Sequence, residues 1–566
     1  MKYRNTYYEW LDSEFIDEES KKELNALIDE DEIENRFYKD LEFGTAGLRG
    51  LMGIGSNRMN VYTVKKATLG LGNYLNKIYD NPSVVIAYDT RFNSREFAKV
   101  TALVLNNIGI KTYIFKEETG TPILAYAINN LKASCGIVIT SSHNPKEYNG
   151  YKVYLDDGGQ IVFPHDDLIM DEIKEINVLS DIKMMDEQSS KIKGLYNTVP
   201  EGVTNMFINE TSAITLKNID LDAKKDVNIL YTSLHGTGIH TMKQIFKIAG
   251  YTNFNTVKKQ ENFDPNFTTA PYPNPEEIDT FKYALDVAKT ENPDIILATD
   301  PDSDRLGIMT KNSKGEYELL SGNIVGAIFA EYILSNNFNY TNRDFVVKSI
   351  VSTRLINQIC DEYDVNCMNV LTGCKWIADK IENNYTGGNF IFGFEESIGY
   401  MVDPYVRDKN GFSAAVLIAE IVTDLKLNNK TLYDYIEEIY EKYGYFYEKT
   451  HSIYFKGVTG IDKINSIMDS VANNKIKKFK RFVIESISNY NTKTNISLRS
   501  KRIKDLDIPS SNVIEFNFTN GSWFIIRPSG TEPKIKLYFG VNGKNMKQCL
   551  KEYETLRNAV FKTLNI

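Results

Sequence analysis

The sequence predicts an α/β protein of three similar α/β domains, each containing a βαβαβ unit, followed by a C-terminal α+β domain. Three observations carry that reading. Apolar runs of strand length alternate with amphipathic helical stretches in three successive copies, each copy closes on a polar loop, and the rhythm breaks into shorter segments after about residue 450. At 566 residues the chain is longer than one core usually supports, and ordinary domain sizes give roughly four domains.

In the first copy SVVIAY, Ser83–Tyr88, reads as a strand, REFAKVTALVLNNIGI has helical spacing, and TYIF, Thr112–Phe115, reads as the second strand. Thr121 and Pro122 read as the N-cap and first helical residue before ILAYAINNLK, and CGIVI is the third strand. The pattern returns through VNILYT (Val227–Thr232), a helix near Gly238–Gly250, YTNFNTV, EEIDTFKYALDVAKT and DIILATD (Asp294–Asp300). It returns again through DFVVKSI, LINQICDEYDV, MNVL, CKWIADKIENN and NFIFGF (Asn389–Phe394). Such alternation predicts parallel sheets covered on both faces, with ligands beyond the carboxyl ends of the strands. SWFIIRPSGTEPKIKLYF and a last helical stretch belong to the C-terminal domain.

With 42% hydrophobic and 25% charged residues the composition is that of an ordinary globular protein, and a net charge of -9 argues against nucleic acid as the main partner. Any anion site must be locally basic. Five scattered cysteines without a CxxC pair indicate neither a disulfide framework nor a zinc site. No apolar leader segment opens the chain and no run is long enough to span a bilayer, so the expectation is a cytoplasmic protein with no membrane partner.

The polar loops are where chemistry is expected. TSSHNP, Thr140–Pro145, follows the buried run CGIVI with two serines and a histidine, a composition that a simple turn also favours. DPDSDR places Asp300, Asp302 and Asp304 at alternate positions, so that in an extended loop three carboxylates face one side. A hard cation such as Mg²⁺ relieves their repulsion. An EF-hand is excluded, because the sixth position is Arg305 instead of Gly and the twelfth is Lys311 instead of Glu. RPSGTEPKIK, Arg527–Lys536, reads as an anion cradle: Gly530 lets the backbone approach, Ser529 and Thr531 donate, and Arg527 grips a phosphate bidentately. GFEESIG offers Glu395 and Ser397 to sugar hydroxyls, while FGTAGLRG and YDTRFNS put Arg49 and Arg91 in Gly- or Asp-rich loops.

TSSHNP, DPDSDR, GFEESIG and RPSGTEPKIK, in this order, resemble the α-D-phosphohexomutases, the phosphoglucomutase and phosphomannomutase superfamily, from about residue 40 to the C-terminus. The likeness is greatest to the branch holding the type 2 phosphoglucomutases and phosphopentomutases. It implies that Ser142, just before His143, is the phosphorylated serine. It also implies that Asp300, Asp302 and Asp304 hold Mg²⁺ together with a phosphoryl oxygen on Ser142, and that Arg305 helps hold that phosphate. His143, Lys152 of NGYKVY and Lys375 of LTGCKW become the acid/base candidates, with no order among them. Arg49, Arg305, Glu395, Ser397, Arg527, Ser529, Gly530 and Thr531 become the substrate contacts. Two departures stand out: Ala46 where many bacterial mutases carry Asp, and EESIG where phosphomannomutases carry a GEMSGH-like loop.

The implied activity interconverts α-D-glucose 1-phosphate and glucose 6-phosphate through the phosphoserine and a glucose 1,6-bisphosphate intermediate, which also serves as activator. Pentose or mannose phosphates are alternative substrates, and a phosphatase or a non-catalytic sugar-phosphate sensor are the rival classes. The implied domains are 1–205 with the phosphoserine, 206–320 with the metal, 321–447 with the sugar loop and 448–566 with the phosphate loop, around a central cleft. A hinge is expected over 445–455, and the protein is expected to act on small-molecule sugar phosphates as a monomer or homodimer.

Overall fold

The structure, a computed structural model, describes residues 2–43, 47–337, 339–383, 386–455, 457–472, 476, 478–529 and 534–566. It divides into two units, Met1–Ser321 with Cys374–Leu432, and Gly322–Gly373 with Tyr433–Ile566.

The first unit opens with three short helices, Lys2–Asp12, Glu18–Asn25 and Glu30–Phe37, which bury Trp10, Ile16, Leu24, Ile33 and Phe37 around Tyr62. Asp17 and Asp29 start the second and third by accepting from the free amides of Ser20 and Asp31. The first sheet follows, with β1 (Gly47–Leu51), β2 (Ser83–Tyr88), β3 (Lys111–Ile114), β4 (Cys135–Ile139), β5 (Tyr148–Leu155) and β6 (Tyr196–Thr198) in the order β1-β5-β4-β2-β3-β6. Every residue of β4 is buried and so is nearly every residue of β2, as a strand covered on both faces requires. The second sheet is β11-β10-β9-β7-β8, built from β7 (Ile229–Thr232), β8 (Phe254–Thr256), β9 (Ile295–Thr299), β10 (Leu306–Lys311) and β11 (Tyr317–Leu319).

In the second unit β12 (Phe345–Ser349) and β13 (Asn366–Val370) pair in parallel. In the first, β14 (Phe390–Glu395) and β15 (Gly399–Met401) pair antiparallel. The remaining strands belong to the second unit: β16 (Tyr445–Tyr454), β17 (Lys478–Phe479), β18 (Phe482–Asn489), β19 (Thr494–Ser497), β20 (Ile503–Asp505), β21 (Ile514–Phe518), β22 (Trp523–Pro528) and β23 (Lys534–Gly543). They form an antiparallel sheet in the order β16-β23-β22-β21-β18-β19-β20, with β17 on β18, backed by the helix Met546–Leu564.

Two expectations need correction. The sheets are mixed: β2, β3, β4 and β6 are parallel, as are β7, β8 and β9, but β5, β10 and β15 each turn back antiparallel on the strand before them. Connections of eight, six and three residues join these pairs, and a parallel return needs a dozen or more. Thr121 is not the N-cap of its helix; Gly120 is, with Pro122 in the first turn. The stretch over which a hinge is expected forms β16, all ten residues of which pair with β23. All five cysteines are free, four of them buried. Among the described residues no helix is long and apolar enough to cross a membrane.

Candidate active site

The three polar loops of the first unit are the turns of the three antiparallel returns, β4 to β5, β9 to β10 and β14 to β15. Each holds one non-glycine residue in the left-handed region: Ser142 at φ 51°, Ser303 at φ 59° and Ile398 at φ 54°. Such conformations are sparsely populated and persist only where the surroundings impose them.

Around Ser142 the surroundings do so. Arg91 is buried and donates to the carbonyls of Pro145 at 2.8 Å, Asn144 at 2.6 Å, Tyr148 at 3.2 Å and Ser142 itself. Its guanidinium is oriented by Asp89 at 3.1 Å and stacks on Phe267 at 4.9 Å. Asp89 also accepts from Thr140 Oγ1 at 2.6 Å, and that same hydroxyl accepts from the Ser142 amide at 2.9 Å. The Ser142 hydroxyl is thereby aimed at the carboxylate loop, donating to Asp300 Oδ2 at 2.6 Å with His143 Nδ1 3.2 Å away. Ser141, fully buried, has no partner for its hydroxyl among the described residues.

Asp300, Asp302 and Asp304 converge as the alternate spacing predicts, each able to bring one oxygen within 4.8 Å of the others, and all are buried. Burial and the two neighbouring carboxylates push the Asp300 carboxyl well above the ordinary range. Lys152 reaches across from β5 to Asp302 at 2.7 Å and Asp304 at 3.4 Å; burial opposes its charge, yet these two carboxylates hold its ammonium above the usual lysine value. Two helix starts press on the loop. Thr121 donates through its amide and hydroxyl to Asp302 at 2.9 and 2.8 Å, and a Cβ on Gly120 would lie 2.7 Å from the Asp302 carbonyl. A Cβ on Gly411 would lie 2.8 Å from the Ser303 carbonyl and 2.9 Å from that of Arg305.

Lys409 completes the set, and sequence reasoning missed it. Buried, it spans Asp304 at 3.2 Å and Asp408 at 3.0 Å, and the Asp408 carboxylate accepts from Tyr154 at 2.8 Å. One readable signal existed: Lys409 directly precedes Asn410, which caps the apolar helix Gly411–Leu427, and a cation there opposes the helix dipole unless something else holds it.

Ser142, His143, Lys152, the three aspartates and Arg305 thus form one connected cluster. Arg305 donates its amide to Asp300 at 3.1 Å and its guanidinium to Glu276 at 3.3 Å. Burial and the charges of Arg305, Arg49, Arg91 and Lys152 hold His143 well below the ordinary histidine value. Arg49 lies exposed on β1 opposite Gly150. Glu395, buried, ends β14 one turn from half-buried Ser397, and Arg305 pairs by a β-bridge with Gly399 beside them. Lys375 is placed differently: buried at the start of the helix Lys375–Glu382, it reaches the Ile161 carbonyl at 3.4 Å and Asp166 at 3.9 Å. The second unit carries Arg527 at the end of β22, opposite Lys536, and Ser529, whose amide donates to the Lys534 carbonyl at 2.8 Å. Gly530 and Thr531, like Ala46, lie outside the described residues.

The carboxylate cluster fits a divalent cation. Among the described residues Asp302 Oδ1 and Asp304 Oδ1 are buried without a hydrogen-bond partner, an arrangement that costs stability unless a ligand uses those lone pairs. Three carboxylate oxygens suit a hard ion such as Mg²⁺.

A serine hydroxyl brought against three buried carboxylates on the turns of successive α/β sheets gives the parts of an enzyme of metal-assisted phosphoryl transfer. The chain matches the phosphoglucomutase/phosphomannomutase alpha/beta/alpha domain I over residues 40–179, domain II over 205–315, domain III over 321–443 and the C-terminal domain over 471–553. It belongs to the phosphoglucomutase/phosphomannomutase family. It is 37% identical over 511 residues to a phosphoglucomutase of Staphylococcus aureus strain MRSA252, covering 90% of this chain and 91% of the relative. It is 36% identical over 517 residues to a phosphoglucomutase of Staphylococcus haemolyticus, covering 91% and 93%. Among solved structures it shares its fold with the open form of the Paramecium phosphoprotein pp63/parafusin, a phosphoglucomutase, at TM-score 0.69 and 16% identity over 93% of this chain and 95% of that one. A family protein of Burkholderia thailandensis gives TM-score 0.66 at 17% identity, over 92% and 97%.

Proposed function

We propose that the protein is a phosphoglucomutase, interconverting α-D-glucose 1-phosphate and glucose 6-phosphate with glucose 1,6-bisphosphate as intermediate and activator. The observation that carries the reading is the Ser142 hydroxyl, held on a strained turn and bonded to Asp300 at the rim of the carboxylate cluster. A serine needed only for a turn has no reason to point into three buried carboxylates.

Asp300, Asp302 and Asp304 would hold Mg²⁺, which when bound neutralises charge on the transferring phosphoryl group. Phosphorylated Ser142 is the donor. A substrate hydroxyl attacks its phosphorus, the P–Oγ bond breaks, and the products are the sugar bisphosphate and free Ser142. The second phosphate then returns to Ser142 from the reoriented bisphosphate. His143 is within reach of the hydroxyl proton, Lys152 and Lys409 keep the carboxylates in place, and Glu395 and Ser397 orient the ring. Arg527, Ser529, Gly530 and Thr531 grip the phosphate that is not reacting. Lys375, turned toward Ile161 and Asp166, is better suited to supporting the sugar site than to moving a proton.

A coupled assay on glucose 1-phosphate, mannose 1-phosphate and ribose 1-phosphate, at equal Mg²⁺ and primer, tests the reading. Glucose 1-phosphate is expected to give the highest kcat/KM; preference for ribose moves the protein to the phosphopentomutases and preference for mannose refutes it. Ser142→Ala should abolish turnover and the phosphorylated mass, while Ser141→Ala keeps both.

A further inference from the structure

A second polar cavity, of about 620 Å³, lies wholly within the second unit and shares no residue with the serine, carboxylate and sugar loops. It opens between the end of β12, the helix Leu355–Glu362 and the C-terminal sheet. On that sheet it uses Gly521 at the start of β22 and Asn542 near the end of β23. The Arg527 loop sits at the opposite end of the same two strands, roughly 20 Å away for a strand of this length.

Lys348 of β12 is what needs explaining. It lines the cavity, is 2% exposed, and its ammonium makes only a 3.5 Å hydrogen bond to the Ser352 carbonyl. Among the described residues no carboxylate comes within ion-pair distance of it. The other charges nearby are spoken for. Arg354 donates to Glu515 at 2.8 Å and to Asn517, and stacks on Trp523 at 5.4 Å, while the second Glu515 oxygen accepts from Tyr490 at 2.8 Å. Burial pushes the Glu448 carboxyl up to about 7, so at neutral pH it gives about half a counter-charge. A buried ammonium so poorly paired costs stability, and a hydrophobic side chain of similar size would cost less. Asn517 is engaged by Arg354 and Ser486, and the amides of Asn369 and Asn542, which both donate and accept, complete a wall suited to hydroxyl groups. The volume is in the range of small-molecule sites.

We propose that this cavity binds a small polyhydroxylated anion, its anionic end on Lys348 and its hydroxyls against Asn369 and Asn542. It is a site additional to the one at which sugar phosphates react, and the proposal stands whichever sugar reacts there.

Calorimetric titration of the full chain with gluconate, 6-phosphogluconate and inorganic phosphate tests it, in the wild type and in Lys348→Met, Asn542→Leu and Arg527→Ala. At least one probe should bind the wild type and Arg527→Ala alike and weaken about tenfold or more in Lys348→Met and Asn542→Leu, the loss of one charged contact. Binding of gluconate identifies a carboxylate as the anionic end, whereas binding of 6-phosphogluconate or phosphate alone identifies a phosphate. Thermal unfolding keeps the test independent of folding defects: Lys348→Met should hold or gain stability without ligand, and only the wild type should be stabilised further by the probe. The absence of saturable binding by all three probes overturns the proposal, and so does binding lost in Arg527→Ala but kept in Lys348→Met.

Discussion

Arg91 shows how much a single side chain can fix. It has one ion-pair partner two residues away and four carbonyls more than fifty residues further along, three on the serine loop and one on the first residue of β5. Lysine cannot form that fork. Arg91→Lys should therefore leave KM nearly unchanged while kcat falls about a hundredfold, the scale set by misplacing a reacting group by about 1 Å; steady-state kinetics checks the split. Asp302→Asn removes charge from the cluster but keeps an acceptor for Thr121 and Lys152. Its Mg²⁺ affinity, read by titration calorimetry, should fall by about tenfold or more with an unchanged circular dichroism spectrum. The aspartates were legible because alternate positions of one short loop carry them, whereas Ser142 was told from Ser141 only by the family resemblance. Arg91 was legible only as a charged residue in a loop, since its partners are set by the fold, and Lys409 was missed because its function depends on carboxylates about a hundred residues before it.

At the scale of elements, strands and helices could be read from period and burial, but strand direction could not. A strand buried on both faces has the same apolar pattern whether it runs up or down, so β5 and β10 carried no mark of their reversal. β11 and β15, three residues each, are too short to have a period at all. The reversals matter because they pin both ends of every functional loop in a sheet. Helix starts then pin the middle, as at Gly411. Gly411→Ala forces a methyl group against two carbonyls of the carboxylate turn, so the loop should shift, with about 1–3 kcal/mol lost in stability and a fall in Mg²⁺ affinity measurable beside it.

The loop before that helix supplies a pH dependence. Asp403 is buried, accepts from the Val406 amide and from Asn410, and burial raises its carboxyl from 3.8 to about 6. Between those values the folded chain keeps a proton that the unfolded chain has released, so this group's contribution to stability falls as pH rises from about 4 to about 6 and is level above. Asp403→Asn abolishes that slope. The Tm of the variant relative to wild type should be higher at pH 7 than at pH 4, by the equivalent of about 2–3 kcal/mol; a difference that does not change with pH contradicts the assignment.

For the whole molecule, the family match begins at residue 40, yet the chain before it is folded. Trp10 is 1% exposed and meets Phe37 and Tyr62 edge to face. Trp10→Ala should cost about 3–5 kcal/mol locally, seen as a lower Tm with little change in kcat/KM, because the apolar cluster around Trp10 includes none of the serine or carboxylate loop residues.

The cluster that joins Lys152, Asp302, Asp304, Lys409, Asp408 and Tyr154 draws on distant chain segments, Tyr154 and Asp408 alone lying 254 residues apart. On a ribosome adding 5–20 residues per second, roughly 10–50 s separate the emergence of the first lysine from that of the second. Through that interval the growing chain carries buried-to-be carboxylates without their full set of cations, and the sheets around them are complete before their charges are. A nascent chain released near residue 320 would accordingly carry Lys152 but lack Lys409, so that Asp304 would face one lysine where the finished chain gives it two.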